Sequence, residues 1–134
     1  MSVTALQRAV ERVNAGDLDG YMELYAADVQ VHGYPPGIDS FETLRAFYAG
    51  FFAGLSDVRL ELHEIVSEGD LVAARYVLSG THTGELMGVP ATGRAVSIDG
   101  QSFFRFSGDE VVVRWQSMDA LGLLTQLGAL PAPS

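Results

Sequence analysis

The hydrophobic pattern of the chain changes its period near Gly54, and this change constrains the fold more than any other feature of the sequence. Before Gly54, apolar residues recur every three to four positions, as they do on one face of an α-helix. Beyond it, apolar and polar residues alternate, as they do in β-strands with one buried face. Helices followed by a succession of strands predict the α+β class, with the helices packed on one face of an antiparallel sheet.

The predicted elements follow this division. Before Gly54 the pattern predicts helices carrying residues 6–13, 18–25 and 41–52, with a short strand over 28–34. Asp17 is the expected N-cap of the second helix, and Asp39 with Glu42 resembles the capping box of the third. Beyond Gly54 the pattern predicts a strand that begins at Val58, strands over 71–83, 94–106 and 110–119, and a closing helix over 120–127.

Length and composition limit what this chain can be. Its 134 residues suit one domain, over 1–130, with a loose tail over 131–134. It has no cysteine, which excludes disulfides and thiolate chemistry, and its net charge of −9 argues against nucleic acid and anionic membranes as partners. All eight basic residues are arginine, so no lysine is present to form a Schiff base. The first residues have a helical pattern rather than that of a signal peptide, and we therefore expect a cytoplasmic protein.

Two motifs resemble those of a known family. Residues 80–93 read GTHTGELMGVPATG, which is similar to the GTHxGxxxGxPxTG segment of the SnoaL-like polyketide cyclases, also called ester cyclases. Trp115 and Asp119, followed by GLL at 122–124 and QLG at 126–128, resemble the end of the same family's sequences. His32 stands where the family usually has a histidine at the end of its first strand. Over essentially its whole length, the chain therefore resembles this family of the NTF2-like superfamily.

The resemblance implies a fold, a reaction and an assembly. The fold would be an NTF2-like cone, in which three N-terminal helices pack on a strongly curved antiparallel sheet and enclose a pocket. The reaction would be an intramolecular aldol condensation of a polyketide-like, apolar carbonyl substrate, with Asp119 as general acid and base and without a cofactor or a metal. Relatives commonly pair through the outer face of the sheet, which predicts a homodimer. Regular alternation places on that face Val112, Arg114, Gln116 and Met118. For Arg114, a place in the lining of the pocket is the alternative.

Asp119 is also the strongest candidate from the residue pattern alone. In a regular strand it shares one face with Val111, Val113 and Trp115. A carboxylate beside apolar side chains in a pocket has a raised pKa, as a general acid or base near neutrality requires. Trp115 would then be a wall of the pocket. The alternative is that Asp119 caps the helix that begins at Ala120.

Further polar and aromatic residues are candidates for substrate contacts. His32 could hydrogen-bond a substrate carbonyl or relay a proton, and Gln101 could donate to an enolate oxygen. His82 lies at a predicted bend of the sheet, and a structural role is the alternative for both histidines. Aromatic residues at helical spacing could line an apolar cavity, among them Tyr21, Tyr25, Tyr48 and Phe51. The three histidines lack the spacing of metal ligands, so no metal site is predicted.

Two other functions stay open from the sequence. One is a different acid–base reaction on the same fold, such as isomerisation of a ketosteroid-like compound or hydrolysis of an epoxide. For the epoxide reaction, the sequence shows no convincing counterpart of the Asp-Arg-Asp relay used by hydrolases of related fold. The other is a dimer that binds a small molecule without catalysis. Arg114 stands where family members often have a histidine before the tryptophan, so any part played by that histidine is lost or taken by arginine.

Overall fold

The computed structural model describes residues 2–129 of the chain. The elements in chain order are α1 (Ser2–Asn14), α2 (Leu18–Met22), β1 (Tyr25–His32), α3 (Phe41–Gly54), β2 (Leu55–Glu68), β3 (Leu71–His82), β4 (Ala95–Ser107), β5 (Glu110–Met118) and α4 (Ala120–Gln126). Helices packed on a curved sheet confirm the predicted α+β class. The tail predicted over 131–134 lies outside the described residues. No helix within 2–129 is long and apolar enough to cross a membrane.

The five strands form one sheet in the order β1-β5-β4-β3-β2. The neighbouring pairs from β2 to β5 are antiparallel, as expected for strands that follow one another along the chain. The strand β1 instead pairs with β5 in the parallel direction, with His32 opposite Trp115. The sheet is therefore mixed rather than antiparallel throughout. No hairpin joins β1 to β5, since three strands and α3 separate them along the chain, and so their relative direction is not fixed by a turn.

The second helix is shorter than its apolar pattern predicts. Asp17 caps it as expected, because its side chain accepts a hydrogen bond from Gly20 N at 2.8 Å. The helix ends at Met22, however, and Tyr25 begins β1 instead of extending α2. This places the Tyr25 side chain in the sheet, where it points toward the interior and is buried.

The third helix begins with a capping box made by a different pair of residues from the one predicted. Ser40 Oγ accepts a hydrogen bond from Thr43 N at 3.2 Å, and Thr43 Oγ1 accepts one from Ser40 N at 2.9 Å. The predicted pair of Asp39 and Glu42 lies one residue too early. Serine and threonine satisfy the free N–H groups of this helix end in the reciprocal way that defines the motif.

A bulge in β5 changes which of its side chains face the helices. The pairing of β4 with β5 shifts register near Val112, which is an extra residue in β5. As a result, Val111 before the bulge and Arg114 after it are both buried, although a regular strand would put them on opposite faces. The prediction that Trp115 shares a face with Val111 is therefore wrong. Arg114 occupies the alternative position, in the interior rather than on the outer face.

The core lies between the inner face of the sheet and the helices. One apolar cluster joins α1, α2 and α3 to the sheet, and it includes the fully buried Leu44, Val72 and Val111. A second cluster closes the other end of the sheet, where Leu123 of α4 packs with Ile98 of β4. Between these clusters the inner face of the sheet is covered by helices, and the polar site described next is buried under them.

Candidate functional site

A buried arginine occupies the inner face of β5. Arg114 lies opposite Phe104 of β4, and only 5% of its surface is exposed. Buried charged side chains are normally paired with an opposite charge, because desolvation of a lone charge is unfavourable. The hydrogen-bond partners of Arg114 among the described residues are all neutral: tyrosine and serine hydroxyls and a glutamine oxygen. Since a guanidinium does not lose its proton in proteins, the site carries a positive charge with no carboxylate against it.

All five tyrosines of the chain gather around this guanidinium. Arg114 Nη1 donates to the hydroxyls of Tyr21 at 3.0 Å, of Tyr48 at 2.8 Å, and of Tyr25. The Tyr34 hydroxyl lies 2.6 Å from that of Tyr48, and the hydroxyls of Tyr21 and Tyr25 are also hydrogen-bonded to each other. These four tyrosines come from α2, β1, the segment after β1, and α3, so only the folded chain assembles them.

Ser102, Gln116 and the fifth tyrosine complete the site. Arg114 Nη2 donates to Ser102 Oγ and to Gln116 Oε1, both at 3.0 Å. Gln116 Oε1 also accepts from the hydroxyls of Tyr76 at 3.0 Å and Ser102 at 2.9 Å. The ring of Phe104 lies 4.7 Å from Arg114 Cζ, close enough for a cation–π contact. We call the hydrogen-bonded set the Arg114 cluster: Arg114, Tyr21, Tyr25, Tyr34, Tyr48, Tyr76, Ser102 and Gln116.

Four phenols of the cluster, those of Tyr21, Tyr34, Tyr48 and Tyr76, are neutral at physiological pH. Burial raises the pKa of Tyr21, Tyr34 and Tyr48 well above the usual value, and it also raises the pKa of Tyr76. The charge of Arg114 acts in the opposite direction, because it favours the phenolate, but burial has the larger effect on each of these pKa values. The cluster therefore combines a cation with hydroxyl donors, a combination suited to stabilising negative charge on an oxygen atom.

An apolar cavity adjoins the cluster between the helices and the sheet. Its polar wall is made by Tyr21, Tyr48, Tyr76, Arg114 and Gln116. The rest of the wall is apolar: Leu6, Ala9, Val10, Val13, Leu24, Phe47, Phe51, Phe52, Val58, Leu60, Leu62, Leu78, Phe104 and Met118. The volume of the cavity is ≈ 70 Å³. Apolar walls with a few convergent polar groups are typical of small-molecule sites.

Three of the predicted substrate-binding residues lie at this site. Tyr48 and Phe51 line the cavity, both from α3. Tyr25 contributes its hydroxyl to the Arg114 cluster through β1, not through the second helix as predicted. Their contact with a substrate stays a prediction.

Trp115, His32 and Gln101 lie instead on the outer face of the sheet. Trp115 is 39% exposed, and its ring is stacked on that of His32 with 5.9 Å between centroids and an angle of 18°. Gln101 is exposed two positions before Phe103, which is the residue paired with Trp115. The cause for Trp115 is the bulge at Val112, which reverses the alternation. These three side chains therefore lie outside the pocket in which the sequence analysis expects them.

Asp119 and His82 have structural partners away from the cavity wall. Asp119 Oδ1 accepts a hydrogen bond from Gly122 N at 2.8 Å, so Asp119 caps α4. This is the alternative role that the sequence indicates for Asp119. His82 is fully buried: its Nδ1 accepts from Thr92 N at 3.2 Å, and its Nε2 lies 3.2 Å from Val89 O. These contacts tie the loop over 83–94 to the end of β3. Catalysis by Asp119 and substrate binding by His82 stay predictions.

The sequence of the chain matches that of a known protein family. The profile of the family described as SnoaL-like polyketide cyclase matches residues 4–127, almost the entire described chain. The chain belongs to this family. The fold is the one expected for it, an NTF2-like arrangement of helices against a curved sheet, as in the SnoaL-like protein of Jannaschia sp., which is 22% identical with a TM-score of 0.83.

Three relatives of this SnoaL-like chain come from Streptomyces species. A curated relative is the aklanonic acid methyl ester cyclase DnrD of Streptomyces peucetius, which is 28% identical over 94% of this chain and 90% of its own length. The crystal structure of AclR of Streptomyces galilaeus, a candidate hydroxylase, superposes with a TM-score of 0.88 at 29% identity and covers 99% of this chain and 84% of its own. The crystal structure of IdmH of Streptomyces antibioticus, a candidate polyketide cyclase, superposes with a TM-score of 0.81 at 32% identity. The match covers 96% of this chain and 99% of IdmH.

The centre of the site in this SnoaL-like chain is predicted only in part by the sequence. The sequence favours the outer face for Arg114, with the pocket wall as the alternative, and it does not single out Tyr34 or Tyr76. One signal is available: after Glu110 at its start, β5 reads VVVRWQSM, and a single arginine among apolar and neutral residues is unusual enough to suggest a special partner. Its partners could not be found in this way, because they lie between 12 and 93 positions away in the chain, apart from Gln116.

The hydrogen bonds of Arg114 also bear on the epoxide hydrolase alternative. That reaction on a related fold uses an arginine held between two aspartates. Among the described residues, the partners of Arg114 are hydroxyls and an amide oxygen, and the residues that line the cavity include no carboxylate. The Asp-Arg-Asp relay is therefore not formed by this cluster.

Proposed function

We propose that this protein is a cyclase that closes a ring in an apolar, polyketide-like carbonyl compound by an intramolecular aldol reaction, without a cofactor. The observation that carries the proposal is the cavity itself, an apolar space whose polar wall is formed by a buried guanidinium and neutral phenols. The name of the relative DnrD supports a substrate of the same class, a polyketide methyl ester.

The Arg114 cluster suits the electrostatic part of such a reaction. When a proton leaves the carbon beside a carbonyl, the electron pair moves onto the carbonyl oxygen and forms an enolate. The enolate carbon then attacks a second carbonyl of the same molecule, and the alkoxide that results takes up a proton. Hydroxyl and guanidinium donors at the first oxygen stabilise the enolate more than the neutral carbonyl, and this difference lowers the barrier. The apolar walls hold the flexible substrate folded, which brings the reacting carbons together.

The proton acceptor must come from outside the described cavity wall, which has no carboxylate or imidazole. Asp119 is the candidate, because it directly follows the cavity residue Met118. Only Oδ1 of its carboxylate is used in capping α4; Oδ2 accepts no hydrogen bond from the described residues. In the proposed mechanism this oxygen removes the proton and later returns it.

The size of the cavity adds a condition to this proposal. A cavity of ≈ 70 Å³ holds only a few water molecules. A substrate with several rings would therefore need α1 and α3, which supply much of the apolar wall, to move away from the sheet. Closure of the helices over the bound substrate would then exclude water from the enolate.

A second candidate function is small-molecule binding without catalysis. The observation that favours it is the same lack of a carboxylate or imidazole in the described cavity wall. Binding and catalysis make different predictions for the fate of a ligand, since only a cyclase changes its covalent structure.

The test is to incubate the purified protein with aklanonic acid methyl ester and to follow the products by chromatography with mass detection. An aldol addition moves a hydrogen within the molecule, so the product of cyclisation has the mass of the substrate but a different retention time. We expect this product to form with the wild type, and its rate of formation to fall ~10²-fold or more with Arg114→Met, as for loss of an oxyanion-stabilising group.

The matched control is Arg59→Met, which makes the same change in an exposed arginine of β2 that is paired with Glu61. It should leave the rate unchanged. Recovery of unchanged ligand from the wild type, bound but not cyclised, for this ester and for simpler diketo esters would favour the binding function instead.

A further inference from the structure

The Arg114 cluster has more hydrogen atoms to donate than acceptors to receive them. The hydroxyls of Tyr21 and Tyr25 form one hydrogen bond between them, which uses one of their two protons. The same holds for Tyr34 and Tyr48. Within residues 2–129 the remaining proton of each pair has no acceptor. Two phenolic protons are thus left over beside a guanidinium.

Gln116 adds a further donor at the same place. Its Oε1 accepts hydrogen bonds from Arg114, Tyr76 and Ser102, and this fixes the orientation of the amide. Its Nε2 makes no hydrogen bond with the described part of the chain, and the residue lines the cavity. The amide therefore presents N–H groups where a ligand would lie.

We infer that the Arg114 cluster is a receptor for an oxygen anion carried at one end of an apolar ligand. This inference rests on the proposed function in one respect, since the ligand occupies the cavity proposed for the substrate. It goes further in specifying the charge of the bound group. A surplus of donors together with a positive charge and no carboxylate is complementary to a group that only accepts hydrogen bonds and is negatively charged. An alcohol or amide at this position would bring donors to a region already rich in them.

Two kinds of ligand share this chemistry. One is the delocalised anion of a 1,3-dicarbonyl compound, in which the negative charge is spread over two oxygens; the other is a carboxylate. Both present oxygen atoms that can accept from Arg114, the phenols and the Gln116 amide. The overall charge of −9 does not favour anions, so the preference must arise locally, from the buried guanidinium.

The experiment measures binding, not turnover, with small aromatic ligands that cannot cyclise. Benzoylacetone is titrated with base in the absence and presence of wild-type protein, and its enolate is followed by absorbance. If the site prefers the anion, the protein should lower the apparent pKa of benzoylacetone by about one unit, which corresponds to tenfold tighter binding of the enolate. In a second arm, calorimetry compares 2-naphthoate with its uncharged methyl ester, for which we expect the carboxylate to bind about tenfold tighter or more.

Variants assign the preference to the guanidinium. Arg114→Met, of similar length but without charge, should abolish the preference in both arms, and Arg114→Lys should retain part of it. In Arg59→Met the preference should be unchanged. Melting of each variant in the absence of ligand, followed by circular dichroism, shows that it is folded under the conditions of the titration.

The two arms separate the sources of the anion. A preference for benzoylacetone enolate alone identifies the site as an enolate site, and a preference for naphthoate as well identifies a general carboxylate and enolate site; either supports the inference. Equal binding of charged and uncharged ligands to the wild type would overturn it, even if every variant failed to fold. Cyclisation of a polyketide ester without a preference for anions would retain the proposed function and exclude the anion receptor. A preference for anions without cyclisation would retain the anion receptor and exclude the proposed cyclase function.

Discussion

Asp119 and Asp17 occupy equivalent places at the N-termini of two helices. Each carboxylate accepts a hydrogen bond at 2.8 Å from the backbone N–H three residues on, Gly122 in one case and Gly20 in the other. They differ in what surrounds them, because Asp119 follows a residue of the cavity wall and Asp17 does not. Asp119 is therefore a candidate for both capping and catalysis, whereas Asp17 is a candidate for capping alone.

We expect Asp119→Asn to lower the rate of cyclisation while leaving the melting temperature almost unchanged. Asparagine caps a helix about as well as aspartate, but it cannot accept a proton at neutral pH. Loss of a general base typically reduces the rate ~10²–10⁴-fold. Asp17→Asn makes the same change at the other cap and should affect neither quantity. Turnover of Asp119→Asn close to that of the wild type would assign Asp119 to capping alone.

The strands β3, β4 and β5 bring together the part of the Arg114 cluster that lies on the sheet. Tyr76 of β3 is directly opposite Gly100 of β4, and Ser102 is opposite Gln116 of β5. A Cβ atom at Gly100 would lie 2.3 Å from both Cζ and the hydroxyl of Tyr76, so glycine provides the space in which this ring lies across the strand. The position of Tyr76 thus depends on a missing side chain in the neighbouring strand.

Gly100→Ala should therefore displace Tyr76 and weaken its hydrogen bond to Gln116. Overpacking of this kind typically destabilises a protein by ~1–3 kcal/mol, and chemical denaturation measures that change. The control is Gly50→Ala in α3, where a Cβ atom would meet nothing within 4 Å. It should stabilise the protein by ~0.5–1 kcal/mol, because alanine favours a helix more than glycine does. Equal stability of Gly100→Ala and the wild type would contradict this account of Tyr76.

The same elements show which parts of the structure can be predicted from sequence. The change of period at Gly54 is sufficient for α1, α3 and the long strands, because each depends on a local repeat of apolar residues. It is not sufficient for α2, whose apolar pattern continues into β1. The face of Trp115 and Arg114 cannot be obtained in this way, since one extra residue at Val112 reverses the alternation and the apolar run VVV carries no sign of it. The positions of Arg114 and Trp115 have the same cause. Beyond the bulge at Val112 the two faces of β5 are exchanged, so that Arg114 faces the interior and Trp115 faces outward.

The bulge at Val112 also changes which side chains form the outer face of the sheet, and therefore the surface of the whole molecule. Of the residues predicted on the outer face of β5, Arg114 and Gln116 are buried and Met118 lines the cavity. The outer face instead carries an apolar row that crosses the strands, from Trp115 through Phe103 and Ala73 to Val66, each paired with the next. Phe103 is 52% exposed and Val66 68% exposed. A contiguous exposed apolar row is typical of an interaction surface.

We propose that this row is the interface of a two-fold homodimer, in which the outer faces of two sheets pack together. Light scattering at micromolar concentration should then give twice the mass of 14.4 kDa for the wild type. Phe103→Arg places a charge in the middle of the row, and it should give the mass of a monomer because the charge would be buried without a partner. The control is Leu121→Arg on α4, which is 68% exposed but outside the row and should leave the dimer intact. A monomeric wild type would exclude the dimer, and dissociation by Leu121→Arg but not by Phe103→Arg would place the interface at α4.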